Sequence, residues 1–331
     1  MSGAPRGAGA IGWLAFALVL SAVLLVALGL AVGSAGWEPL TAQDAAVRAI
    51  LWDIRLPRSL AAWTAGALLG LAGAVAQGVF RNPLADPYLL GSATGAGLGI
   101  ALLLAVSGAS VSTEGWTARL GFTGAAFAGA VFAVLLTLGL ARGVQHTLRL
   151  LLAGVIVGVV LGALSALVMF RVPEAMRSMQ AFLLGTTGFV GWPGVVQMAV
   201  WLAAGLVASL AASRALDALS LGESTAASLG VALAPVRLVL VTVMALATGA
   251  AVAQVGLIAF VGLVAPHLVR SAARPTHRWL LPLSAAAGGV LLLAADVLGR
   301  WLLAPRELPV GALTAVLGGG YLLWMMHRKP L

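Results

Sequence analysis

Cysteine is absent from the 331 residues. Disulfides, thiolate metal sites and cysteine nucleophiles are therefore excluded. Lysine is almost absent too, with Lys329 the only one. A P-loop needs a lysine on the nucleotide phosphates, so the chain carries no P-loop of its own. Schiff-base chemistry is removed by the same count. Charge is scarce: 9% of residues are charged and 61% are hydrophobic, against about 25% charged in an average soluble domain. A soluble domain with so little charge could not cover its surface. The natural unit is instead the membrane span, about 20 apolar residues for a hydrocarbon core about 30 Å thick. The net charge is +9, but the basic residues are scattered between apolar runs. That is the pattern of membrane flanks, and no nucleic-acid partner is expected.

Charge-free stretches mark nine candidate spans. They lie between Arg6 and Glu38, Ser59 and Phe80, Pro87 and Thr113, Leu120 and Ala141, and Leu150 and Phe170. The rest are Ser178 to Ser213, Leu238 to Val269, Trp279 to Ala295, and Leu308 to Met326. The first run, Ile11 to Gly33, has only Arg6 ahead of it and is too long for the core of a signal peptide. Ala31-Val32-Gly33 resembles a cleavage site, yet the run reads as an uncleaved first span. Parity then raises the count to ten. Ser213 to Arg237, Arg270 to Arg278 and the C-terminal His327-Arg328-Lys329 all read as cytoplasmic by the positive-inside rule. A chain leaving the cytoplasm at Arg237 and returning by Arg270 must turn between them. The 32 residues from Leu238 to Val269 reach about 48 Å, short of two crossings of about 30 Å. One member of the pair is therefore short or re-entrant, with Gly249 and Gly256 as candidate breaks. With both ends inside, 11 of the 19 Lys and Arg are cytoplasmic and 8 are outside.

Several strings stand out. Arg55-Leu56-Pro57-Arg58 opens the second span, with Pro57 suited to a helix start. Two arginines there oppose the helix dipole. They suit either headgroup anchoring or an external acidic partner. Arg81 to Pro87 is a stiff turn with prolines at 83 and 87. Leu219 to Leu233 holds a short helix, with Ser220 and Glu223 as a capping box and Gly230 as its stop. About ten residues cannot span, and the segment should expose Ala226, Ala227 and Ser228 beside Leu229. It is either a plain loop helix or one that inserts into a partner's groove. His267 lacks a nearby acid or histidine and reads as structural or interfacial rather than as a ligand. Asp296 is an acid within an apolar run, a functional candidate by default, with Arg300 four residues on. Gly66 with Gly70, Gly91 through Gly95 to Gly99, and Gly158 with Gly162 are small-residue stripes. They serve helix packing within the bundle, or a pore or dimer face.

Taken in order, these strings resemble the permease subunits of ATP-binding-cassette (ABC) importers for iron–siderophore, haem and cobalamin, the FecCD/BtuC-type family. The resemblance rests on Arg55 to Arg58, Asn82 to Ala85 with Pro87 and Gly91, and the Leu221-Gly222-Glu223 to Leu229-Gly230 helix. It continues through Gly256 to Arg270, Ala295-Asp296 and Glu307 to Gly311. It implies an all-α membrane protein of about ten transmembrane helices with type II ABC importer permease architecture. Residues 1–331 would form one permease domain, with 1–10 and the loop of about 213–237 cytoplasmic. It further implies a bacterial inner-membrane homodimer in contact with lipid, whose path runs chiefly between the fifth and eighth spans of each copy. Two cytoplasmic ATPase subunits would each grip a coupling helix comprising Leu221, Gly222, Glu223, Ala226, Leu229 and Gly230. A periplasmic or surface-anchored binding protein would dock through Arg55, Arg58 and Arg300. The region Phe170 to Gly188 should shape selectivity, with Arg171, Met176, Arg177 and Met179 as path candidates beside Glu174. Arginines there suit an anionic chelate, and methionines a flat macrocycle. The same residues could instead contact the binding protein. Family breadth favours a ferric siderophore, with haem and cobalamin as alternatives. No cofactor or resident metal is expected.

Two other functions compete. An ion-coupled secondary transporter needs midplane ionisable groups, and only Asp296 offers itself. A membrane enzyme needs a catalytic constellation, and His146, His267, His277 and His327 do not pair with acids in the sequence.

Overall fold

The structure is a computed structural model and describes residues 6–33, 36–37, 45–107, 116–141 and 147–328. His146, Lys329 and the side chain of Glu174 lie outside the described residues. Among the described residues, seven helices are long and apolar enough to cross a membrane. They are α1 (Arg6–Ala31), α3 (Leu56–Phe80), α5 (Trp116–Leu140), α6 (Thr147–Arg171), α8 (Trp192–Ala211), α11 (Leu233–Val255) and α13 (His277–Trp301). Two shorter apolar helices, α4 (Ser92–Ser107) and α14 (Val310–Arg328), and the 13-residue α12 (Val261–Ala273) make a total compatible with the expected ten. Between them lie α2 (Ala45–Ala49), α7 (Met176–Leu184), α9 (Ser213–Ser220) and α10 (Glu223–Ser228). A two-residue pairing joins β1 (Val32–Gly33) to β2 (Gly36–Trp37).

The bundle is built around α3. It is buried from Ala65 through to Phe80. Its small residues explain why: a Cβ on Gly66 or Gly70 would overlap the carbonyl oxygens of Gly288 or Ser284 on α13, and one on Gly73 that of Gly262 on α12. Gly95 and Gly99 meet Gly129 and Ala125 of α5 in the same way. With no hydrophobic drive between helices in lipid, such close backbone approach is what holds them together. These stripes therefore serve packing within one protomer. Gly158 and Gly162 only brush Thr94.

The turn between Arg237 and Arg270 falls at Gly256, in a left-handed conformation that favours glycine. Gly249 stays inside α11 against Phe127. The short member is α12, with 13 residues, reaching about 20 Å. Phe260, also left-handed, precedes it. The turn Pro87–Leu90 packs against this break. The Tyr88 hydroxyl donates to the Ile258 carbonyl at 3.2 Å, and the Pro87 ring lies beside Gly262. Interrupted backbone at membrane depth is tolerated here because it is buried in protein.

Three local expectations change. Arg55 and Arg58 do not flank a free helix start, because a π-helical turn, Ile50–Arg55, runs straight into α3. The charge-free run from Ser178 to Ser213 is not one span: it holds the end of α7 and then α8. The capping box does not form, since α10 starts at Glu223 after Gly222, and the Ser220 hydroxyl donates back to the Asp217 carbonyl.

Candidate functional site

Polar chemistry collects at the two ends of the bundle. At one end α13 delivers Asp296 and Arg300 one helical turn apart, and α3 delivers Arg58. The Arg300 guanidinium lies 2.7 Å from Asp296 Oδ2. It also donates to the carbonyl oxygens of Gly29 at 2.8 Å and Val32 at 3.1 Å, closing the end of α1. Arg58 reaches the other Asp296 oxygen at 3.2 Å and Glu307 at 2.9 Å. The Thr187 hydroxyl donates to the same Asp296 oxygen. Asp296 is 2% exposed and Arg300 1%. Desolvated charges are tolerable only when paired and hydrogen-bonded, and here two carboxylates face two guanidinium groups. A cleft of about 340 Å³ opens beside the cluster, lined by Arg58, Arg177, Gln180, Thr186 and Glu307.

At the other end α10 forms a short surface helix. Its stop at Gly230 is as expected: the Gly230 amide donates to Ala227 and the Val231 amide to Ala226, with Gly230 left-handed. That pair of bonds is a Schellman cap. Leu221 and Leu229 flank α10 and are 66% and 64% exposed. Ala226 turns inward and is fully buried, contrary to expectation, while Ala227 and Ser228 are exposed. Glu223 also turns toward the bundle. Its Oε1 pairs with Arg237 of α11 at 2.6 Å and with Arg81, the residue that ends α3, at 3.0 Å.

Residues 14–328 match the model of the FecCD transport family. The chain belongs to that family. It is 37% identical over 323 residues to the hemin transport system permease protein HmuU of Yersinia pestis, covering 94% of this chain and 96% of the relative. It is 39% identical to the vitamin B12 import system permease protein BtuC of Salmonella typhimurium, over 96% of this chain and 95% of the relative. A solved metal-chelate type ABC transporter in an inward-facing conformation superposes with a TM-score of 0.81 at 29% identity, over 95% of this chain and 98% of that one. The PsaBC structure from Streptococcus pneumoniae shares the fold alone, with a TM-score of 0.54 at 19% identity, over 80% and 89% of the two chains. The fold is that of a type II ABC importer permease.

In this FecCD permease the expected site residues are distributed as follows. Arg55 is half-buried and donates to the Leu30 carbonyl. Arg58 is half-buried in the cluster. Arg300 is not on the surface, because its guanidinium is sealed under α1. Arg171, Met176 and Arg177 are exposed near the cleft end. Met179 is buried with Ala96, Ile100 and Met169, so its neighbours in this structure are core residues rather than an open path. Leu221, Gly222, Leu229 and Gly230 lie at the surface around α10. His267 rests edge-on to Tyr321 at 6.0 Å.

Three partnerships escaped the sequence reading. Glu307 pairs with Arg58 across 249 positions. Glu223 pairs with Arg81 and Arg237. His277 does have an acid: its Nδ1 is 2.6 Å from Asp217, which also accepts the His277 backbone amide. The available signal was that each acid sits in a short segment between long apolar runs, where few partners compete. Among the described residues no group of three or more His, Cys, Asp and Glu is placed to hold a metal ion.

Proposed function

We propose that this FecCD permease is the membrane-spanning half of an ATP-driven importer that moves a bulky metal chelate into a bacterial cytoplasm. The observation that carries the proposal is α10: a non-spanning helix, anchored at its base by ions and flanked by exposed Leu221 and Leu229. Exposed leucines beside a short helix suit insertion into a groove on a partner. We assign that face to a cytoplasmic ABC ATPase, one for each of two copies, and with it place both chain termini in the cytoplasm. The opposite end then faces the binding protein. Arg55 and Arg58 are its docking groups, and Arg300 acts indirectly by fixing Asp296 and through it Arg58. The second copy is expected against the open face of α6, where Ile156, Val159 and Leu167 are exposed.

For cargo, relatives named for hemin and for vitamin B12 support a macrocyclic chelate as strongly as the ferric siderophore suggested by family breadth. The path residues we assign are Arg171, Met176 and Arg177, with Met179 joining only if α7 moves. The pairing of Asp296 with the Arg58 and Arg300 guanidinium groups favours this reading over ion coupling. The test is uptake by proteoliposomes holding the permease, its ATPase and its binding protein, offered hemin, cobalamin and a ferric siderophore in competition. Uptake of one of them should stop with a hydrolysis-dead ATPase and persist after proton and sodium gradients are collapsed. Uptake that follows the gradients instead would sink the proposal.

A further inference from the structure

Glu223 looks, from its place on α10, like a contact for the ATPase, but its carboxylate points the other way. It pairs at 2.6 Å with Arg237 and at 3.0 Å with Arg81. The Arg237 side chain is only 3% exposed. It is the fifth residue of α11, near the helix N-terminus, where a positive charge opposes the dipole. Neither burial nor helix stability accounts for an arginine there, and a buried guanidinium needs a counter-charge. Glu223 supplies it. An acid at the start of α10 also suits that helix's own dipole, but a six-residue helix gives no reason for a buried arginine opposite.

The backbone on both sides of α10 is articulated. Gly222 has φ 113° and Gly230 φ 80°. Of the six residues in α10, four are exposed, Ala226 is buried and Glu223 is half-buried. An alanine makes no directional bond, so the oriented link from α10 to the bundle is the Glu223 carboxylate. Two of its partners, Arg81 and Arg237, lie at or near the ends of the helices best placed to pass on a displacement. Arg81 ends α3, the buried centre of the bundle, whose far end carries Arg58. Arg237 lies in the second turn of α11, whose far end is the Gly256 break.

We infer that Glu223 is a positioning residue, a two-armed latch that fastens α10 to the ends of α3 and α11 and carries its movement to the Arg300 end of the molecule. This rests on the reading of α10 as the ATPase-docking helix, and it assigns the ATPase contact to Leu221, Leu229 and the exposed face between them. The absence of cysteine from the chain gives a clean probe: Leu303→Cys, on the exposed segment joining α13 to α14, labelled with a fluorophore before assembly with the ATPase. ATP should change the label's signal in this background. Arg81→Gln and Glu223→Gln should each shrink that change at least about fivefold, the smaller end of ordinary coupling between sites, while the ATPase still co-purifies. Arg81→Lys should restore it, because a point charge can still pair. Arg81 is exposed, so Arg81→Gln decides the matter if Glu223→Gln folds poorly. An unaltered ATP response in Arg81→Gln would overturn the latch. So would loss of the ATPase from a folded Glu223→Gln protein, which would make Glu223 the partner's contact. Leu229→Asp separates the two readings: if it keeps the ATPase bound, the docking assignment of α10 itself fails, whatever Arg81 does.

Discussion

Asp296 sits between two guanidinium groups, one from its own helix and one from α3, with a threonine hydroxyl completing its shell. The network ties α1, α3, α13 and the segments around Thr187 and Glu307 to one carboxylate. Removing that charge leaves Arg300 buried and unpaired, a loss that typically costs about 3–5 kcal/mol. Asp296→Asn should therefore lower the thermal unfolding midpoint of the detergent-solubilised protein markedly. Glu307→Gln, at a half-exposed pair, should cost at most about 1 kcal/mol. Equal and small shifts for both would mean that the cluster does not stabilise the fold. Where Asp296→Asn is destabilised as expected, a transport defect in it is a folding defect and not evidence of ion coupling.

At the level of helices, backbone contact sets the sensitivity. Gly73 faces the Gly262 carbonyl directly, whereas Gly124 has nothing within 4 Å of where its Cβ would be. Gly73→Ala must push α12 off α3, and overpacking of this kind costs about 1–3 kcal/mol. It should also disturb the Tyr88–Ile258 contact that closes the interrupted region. Gly124→Ala should be neutral or slightly stabilising, since alanine favours helix over glycine by about 1 kcal/mol in exposed positions. Thermal unfolding of the two variants side by side checks the contrast, and a Gly73→Ala protein as stable as Gly124→Ala would refute the packing argument.

For the assembled importer, charge at the Arg300 end should govern recognition of the binding protein. Arg55 is the cleaner handle than Arg58, because a carboxylate at 58 would lie against Asp296. Arg55→Glu should weaken association with the binding protein, and the deficit should narrow as salt rises toward 1 M, where the screening length is about 3 Å. Affinity measured across a salt series, with permease in nanodiscs, reads this directly. An affinity that does not change would remove Arg55 from the interface.

Much of this architecture was legible without coordinates, for reasons that are local. Apolar run length is set by bilayer thickness, so nine stretches could be counted. Parity of arginine-rich segments then forced a tenth helix and a shortened pair. The break at Gly256 was among the two glycines able to provide it. Tertiary structure decided what local rules cannot: which glycine breaks the chain, which way Ala226 and Glu223 face, and which charges meet. Gly249 and Gly256 look alike in sequence, but only Gly256 lies where Phe182 and Gly185 crowd the backbone. The pairing of Glu307 with Arg58, or of Glu223 with Arg237, depends on helices far apart in the chain being brought side by side. The single lysine excluded a P-loop from the outset. Where its few charges would be spent was a matter of packing, because a buried charge must find its partner in space rather than along the chain.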